Sequence, residues 1–247
     1  MTVREYLGRS RAPRYSLVFA LPLLLLYEGL SAVLTGSAVE GVRNGADVLL
    51  KTLFLALGGR NGLYVFSVLL VGGGAWLVWR DRRAAREPYE PRVFAWMALE
   101  STAYAAVFGV LVGWLTALVL TGPRGLAIGG VAALGLPTQL VISLGAGLYE
   151  ELAFRVLLVG ALLRVFTVLL PAGRSVGTVL AVVLSALIFS AFHYVGSLGD
   201  TFSVPSFTFR AIAGVVFSVL YVTRGFGIAA WTHALYDLGL SVLQAGN

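Results

Sequence analysis

The chain has 247 residues, 58% of them hydrophobic and only 12% charged, with a mean hydropathy of +0.88 and a formal net charge of +6. Soluble domains carry roughly 25% charged residues, so an ordinary soluble enzyme, a disordered tail and a nucleic-acid-binding module are excluded. With no Cys, disulfides, thiol catalysis and thiolate metal sites are excluded as well. The composition predicts an all-α fold: one polytopic transmembrane helical bundle over 1–247, with about seven spans and one interfacial or re-entrant helix.

Residues 1–14 are polar and carry Arg4, Arg9, Arg11 and Arg14. An apolar run follows at 15–35. A signal peptide would also place basic residues before an apolar stretch, but this run is long enough to span and the chain stays apolar after it. The segment 47–57 is apolar, contains Lys51 and is too short to cross, which suits an interfacial or re-entrant helix. Further spans are predicted at 63–79, 93–120, 139–165, 176–194, 209–222 and 227–243. Gly72 to Gly74, Gly125 with Gly129, and Gly145 with Gly147 are read as close-packing positions between helices.

All basic residues but Lys51 are Arg, and most lie in the connections. The N-terminal tail, the 80–92 connection, Arg164, Arg174 and Arg224 fall on one side. Arg43, Lys51, Arg60, Arg124 and Arg210 fall on the other. The positive-inside rule then places the N-terminus in the cytoplasm.

An ionisable group inside a bilayer costs several kcal/mol unless it is paired or hydrated. Glu28, Glu100, Glu150, Glu151, Arg155, His193, His233 and Asp237 all fall inside predicted spans, and they include both His of the chain. Glu151 and Arg155 are one turn apart, acid first, the favourable order for an ion pair. Glu150, about 100° away around the helix, is left for other work. Phe189 lies one turn before His193 and can wall a pocket beside the imidazole, as can Phe154. His233 and Asp237 share a helix face.

Two hydrolytic designs use such a set. In one, Glu150 removes a proton from water, His193 orients the water, and His233 with Asp237 faces the developing oxyanion. In the other, a divalent metal such as zinc, held by Glu150, His193, His233 and Asp237, activates the water. No H-E-x-x-H helix is present to support the second design.

E-E-x-x-x-R at Glu150, Glu151 and Arg155, F-x-x-x-H at Phe189 and His193, and H-x-x-x-(N or D) at His233 and Asp237 resemble three motifs of the CAAX prenyl protease and bacteriocin-processing (CPBP, ABI) family. These are intramembrane endopeptidases, once classed as metalloproteases and now often described as glutamic. The likeness covers residues 139–243, the expected catalytic helices. It implies Glu150 as general base, His193 as its partner on the water, His233 and residue 237 at the oxyanion, and Glu151 with Arg155 as support. The eukaryotic members typically carry Asn where this chain has Asp237. Ionised Asp cannot donate to an oxyanion, so Asp237 is protonated, orients His233 or ligates a metal.

The expected function is hydrolysis of a peptide bond in a membrane-associated, lipidated or exported peptide or protein. The expected setting is a bacterial inner membrane, with the lipid bilayer and a peptide as partners and no nucleic acid. A proton-coupled transporter and an inactive immunity or scaffold factor are the competing readings. Transporters usually carry inverted repeats, and none is visible here.

Overall fold

A computed structural model describes residues 1–35, 43–120, 134–170, 173–196 and 199–245. The described residues form eight helices and no strands. The N-terminal residues, read above only as polar, form α1 (Val3–Arg11). Thr2 caps it: its side chain accepts from the Glu5 N–H while the Glu5 carboxylate accepts from the Thr2 N–H. The apolar helix α2 (Pro13–Thr35) follows.

Next comes α3 (Gly45–Ala85), started by the side chain of Asn44 accepting from the Ala46 N–H. It is not one rod. Gly58 and Gly59 leave helical geometry, and Gly59 takes φ +56°, a left-handed value that glycine adopts without a Cβ clash. The chain reverses there. A Cβ on Gly62 would sit 1.8 Å from the Phe54 carbonyl oxygen, and the Phe54 and Phe66 rings lie 5.3 Å apart. The expected re-entrant segment is therefore the short first leg of a helical hairpin. Its longer second leg contains the expected span 63–79.

The remaining helices are α4 (Pro91–Leu120), α5 (Leu136–Leu169), α6 (Arg174–Phe192), α7 (Val204–Arg224) and α8 (Phe226–Ala245). Six helices, α2 to α7, are long and apolar enough to cross a membrane. The protein is an integral membrane protein with a polytopic helical bundle. The seventh expected span is α8, which has 20 residues but is not among those six. It carries His233 and Asp237 and packs against α2, α4, α5 and α7. The span expected at 209–222 begins five residues earlier, at Val204, where Ser203 caps the helix and Pro205 occupies its first turn.

Close approach of α5 and α8 depends on Gly147, where a Cβ would meet the Ala230 carbonyl oxygen at 2.3 Å. Gly145 likewise leaves room for Tyr27 and Asn44. The reading of Gly72 to Gly74 as close-packing positions is corrected: a Cβ at Gly73 or Gly74 meets nothing within 4 Å. Gly125, Gly129 and Arg124 lie outside the described residues.

Ion pairs tie several connections to one end of the bundle. Arg9 pairs with Glu90 at 2.5 Å, Arg14 with Glu87 at 3.2 Å, and Arg224 with Glu100 at 2.5 Å. Tyr6 and Tyr104 also donate to Glu100. Burial beside that carboxylate pushes the Tyr6 phenol up from its ordinary range. Glu100 is thus committed to a helix-end Arg.

Candidate active site

The polar residues of α5, α6 and α8 converge within the bundle. Residues 146–159 of α5 run with i→i+5 hydrogen bonds, the wide π form, which is rare and concentrates at functional sites. This stretch carries Tyr149, Glu150, Glu151 and Arg155, all buried. Arg155 Nε lies 3.3 Å from Glu151 Oε2, the pair expected from the spacing. The Arg155 guanidinium also lies over the Phe189 ring at 4.2 Å and the Phe217 ring at 5.4 Å.

Glu151 has a second partner. Its Oε1 is 2.8 Å from His233 Nδ1. Facing an ionised carboxylate, Nδ1 carries the hydrogen. Asp237 lies on the other side, its Oδ2 3.5 Å from His233 Nε2. The residue that orients His233 through Nδ1 is therefore Glu151, not Asp237, which shares the Nε2 side with Glu150. Phe217 stacks on the His233 ring at 4.3 Å with planes 20° apart, fixing the imidazole from its face.

His193 is the first residue past α6, and its Nδ1 is 2.9 Å from the Phe189 carbonyl oxygen. A carbonyl can only accept, so Nδ1 donates and Nε2 presents its lone pair to the site. Phe189 stands edge-on to this imidazole at 4.9 Å, and Phe154 packs edge-on to Phe189 at 5.2 Å. Both Phe are buried, so they wall the site from its core side. Asp200 is anchored beside His193: its N–H donates to the His193 carbonyl, and Arg210 pairs with Asp200 and donates to Ser206 and Tyr194.

Glu150 lies between the two imidazoles. Its Oε2 is 3.9 Å from His193 Nε2 and 3.9 Å from His233 Nε2, and it is buried with no protein hydrogen bond. Its other oxygen is occupied: Asn44 Nδ2 donates to Glu150 Oε1 at 2.9 Å. The Asn44 N–H donates to Tyr27, and Tyr27 donates to Asp47. Asp47 and Glu28 share Arg43 and Lys51, and Tyr149 donates to Glu28. Glu28 is thus balanced by two cations, Arg43 just before α3 and Lys51 on its first leg. Sequence reasoning missed this entire network. Asn44 is legible as a helix cap before an apolar run, but its contact with a residue 106 positions later is not.

The candidate zinc ligands Glu150, His193, His233 and Asp237 do not stand at the spacing of a closed zinc site. Donor atoms around one tetrahedral zinc, bonded at about 2.0–2.2 Å, stand roughly 3.4 Å apart. The 3.9 Å separations are wider, and among the described residues no group of three or more His, Asp or Glu converges as a metal site.

Residues 132–239 match the family model described as type II CAAX prenyl endopeptidase, Rce1-like. This segment belongs to that family. The match runs through α5, α6, α7 and most of α8, and so contains all three motifs. No curated protein and no solved structure matches the chain. The family that this segment matches is one of intramembrane endopeptidases, membrane hydrolases. Asn44, Tyr27 and the α3 hairpin lie outside the Rce1-like segment yet reach into its centre.

Proposed function

We propose that the protein hydrolyses a peptide bond of a membrane-associated peptide or protein, with Glu150 as general base. The observation that carries this reading is Glu150 Oε2, buried, without a protein partner and flanked by two imidazole Nε2 atoms at equal distance. A water there donates one hydrogen to Glu150 and the other to the His193 lone pair, which turns its oxygen toward a scissile carbonyl. On attack, the water proton passes to Glu150 and the carbonyl electrons collect on oxygen. The oxyanion needs a donor, and ionised Asp237 offers none. His233, hydrogen-bonded to Glu151 and faced by Glu150 and Asp237, carries a second proton on Nε2 and supplies that donor. Glu150 then returns its proton to the leaving nitrogen as the C–N bond breaks, giving a carboxylic acid and an amine.

Tyr194, next to His193, donates to Ser206 in the first turn of α7, at the bundle end opposite Arg224. Substrate therefore enters from that end, the outer half when the Arg-rich end faces the cytoplasm. Such access suits an exported or lipid-tethered polypeptide at a bacterial inner membrane. The test uses protein reconstituted in lipid with candidate peptides. Glu150→Gln is expected to lower kcat/KM by about 10²- to 10⁴-fold, and His193→Ala and His233→Ala to abolish most cleavage. Unchanged cleavage by Glu150→Gln overturns the assignment.

A further inference from the structure

We infer that Asn44 is a positioning residue for the hydrolytic centre, supplied by the α3 hairpin from outside the Rce1-like segment. The inference rests on Glu150 acting as the base. Asn44 is 3% exposed and held at three points. Its Oδ1 accepts the Ala46 N–H at 2.8 Å, its own N–H donates to the Tyr27 hydroxyl at 3.0 Å, and Nδ2 donates to Glu150 Oε1 at 2.9 Å. The amide orientation follows from the first bond. Oδ1 is committed to capping the first leg of α3, so the nitrogen is the end that faces Glu150.

Two consequences follow for the carboxylate. One oxygen is pinned by a neutral donor, which fixes the plane of the carboxylate and leaves Oε2 aimed between His193 and His233. The donor also occupies Oε1, so Oε2 is the oxygen left to meet a water. The contact is built into the packing. Gly145, five residues before Glu150 on α5, has no side chain, and a Cβ there would meet Asn44 Cβ at 2.6 Å and Tyr27 at 2.5 Å. Tyr27 and Asp47 hold Asn44 from behind, and Arg43 and Lys51 balance Asp47.

Asn44→Asp separates this role from helix capping. Asp caps helices as well as Asn and has nearly the same size, but it replaces the donor with a carboxylate facing Glu150. The charged and titratable groups facing Glu150 are His193, His233, Asp237, Arg155 and its neighbour Glu151. The substitution adds a negative charge to that set. The prediction for purified Asn44→Asp in lipid is a kcat lowered by about tenfold or more with KM within about twofold. Asn44→Ser, which also caps but carries no amide, is expected to lower kcat in the same direction without adding charge, again with KM within about twofold. Thermal unfolding of both variants checks that the cap is retained. Wild-type kcat in folded Asn44→Asp or Asn44→Ser, with Glu150→Gln inactive, overturns the role of Asn44 while the base assignment stands. Normal activity in Glu150→Gln overturns the base assignment itself.

Discussion

Arg155 is 1% exposed and its partner Glu151 is fully buried, so each charge depends on the other. Breaking a buried pair by removing one partner typically costs about 3–5 kcal/mol, because a bare charge is left behind. Arg155→Met is therefore expected to lower the unfolding temperature sharply, read by thermal melting in detergent. Adding Glu151→Gln to Arg155→Met should restore much of that loss, since no charge is then stranded. Cleavage should stay impaired in the double variant, because His233 has exchanged a carboxylate acceptor at Nδ1 for a neutral amide. A double variant as unstable as Arg155→Met would show that the pairing is not what holds these residues. At this scale much was legible in advance. The spacing of Glu151 and Arg155, and the presence of both His in apolar runs, pointed to one polar centre. The hydrogen-bond roles were not legible, because the partner of His233 Nδ1 comes from another helix and depends on the crossing of α5 and α8.

The α5 and α8 helices meet at Gly147, where the Ala230 backbone leaves no space for a side chain. Gly147→Val should force them apart by more than a side-chain adjustment can absorb. Overpacking typically costs about 1–3 kcal/mol, and a loss at or above that range is expected, together with lost cleavage as Glu150 and His233 separate. Gly74→Ala is the contrast: with open space around it, it should stabilise α3 by up to about 1 kcal/mol through helix propensity. Thermal melting of the two variants checks both signs. Glycine content signalled close packing but could not say which glycines used it. That depends on which helix faces each one, information absent from local spacing. For the same reason the hairpin was visible only as a short apolar segment, and its reversal at Gly58 and Gly59 needed the tertiary contact between Phe54 and Gly62.

Across the whole molecule, the Arg9, Arg14 and Arg224 pairs gather the basic connections at one end, the distribution that charge counting on the sequence anticipated. The number of crossing helices was less legible, because the polar residues of α8 that build the centre also lower its apolar character. A chain without Cys permits a direct test of orientation. Single cysteines introduced as Arg60→Cys and Thr201→Cys should react with a membrane-impermeant maleimide on intact cells. Ala84→Cys should react only after permeabilisation, and the reverse pattern would invert the proposed access. The first leg of the α3 hairpin adds a consequence for the surrounding lipid. From Gly45 to the break it rises roughly 20 Å, against about 30 Å of hydrocarbon in a typical bilayer. Acyl chains along that flank meet a shortened wall and must thin to match it. Turnover should therefore depend on lipid chain length, falling as reconstitution moves from shorter to longer acyl chains, a bilayer-thickness dependence set by a pair of glycines far from the reacting atoms.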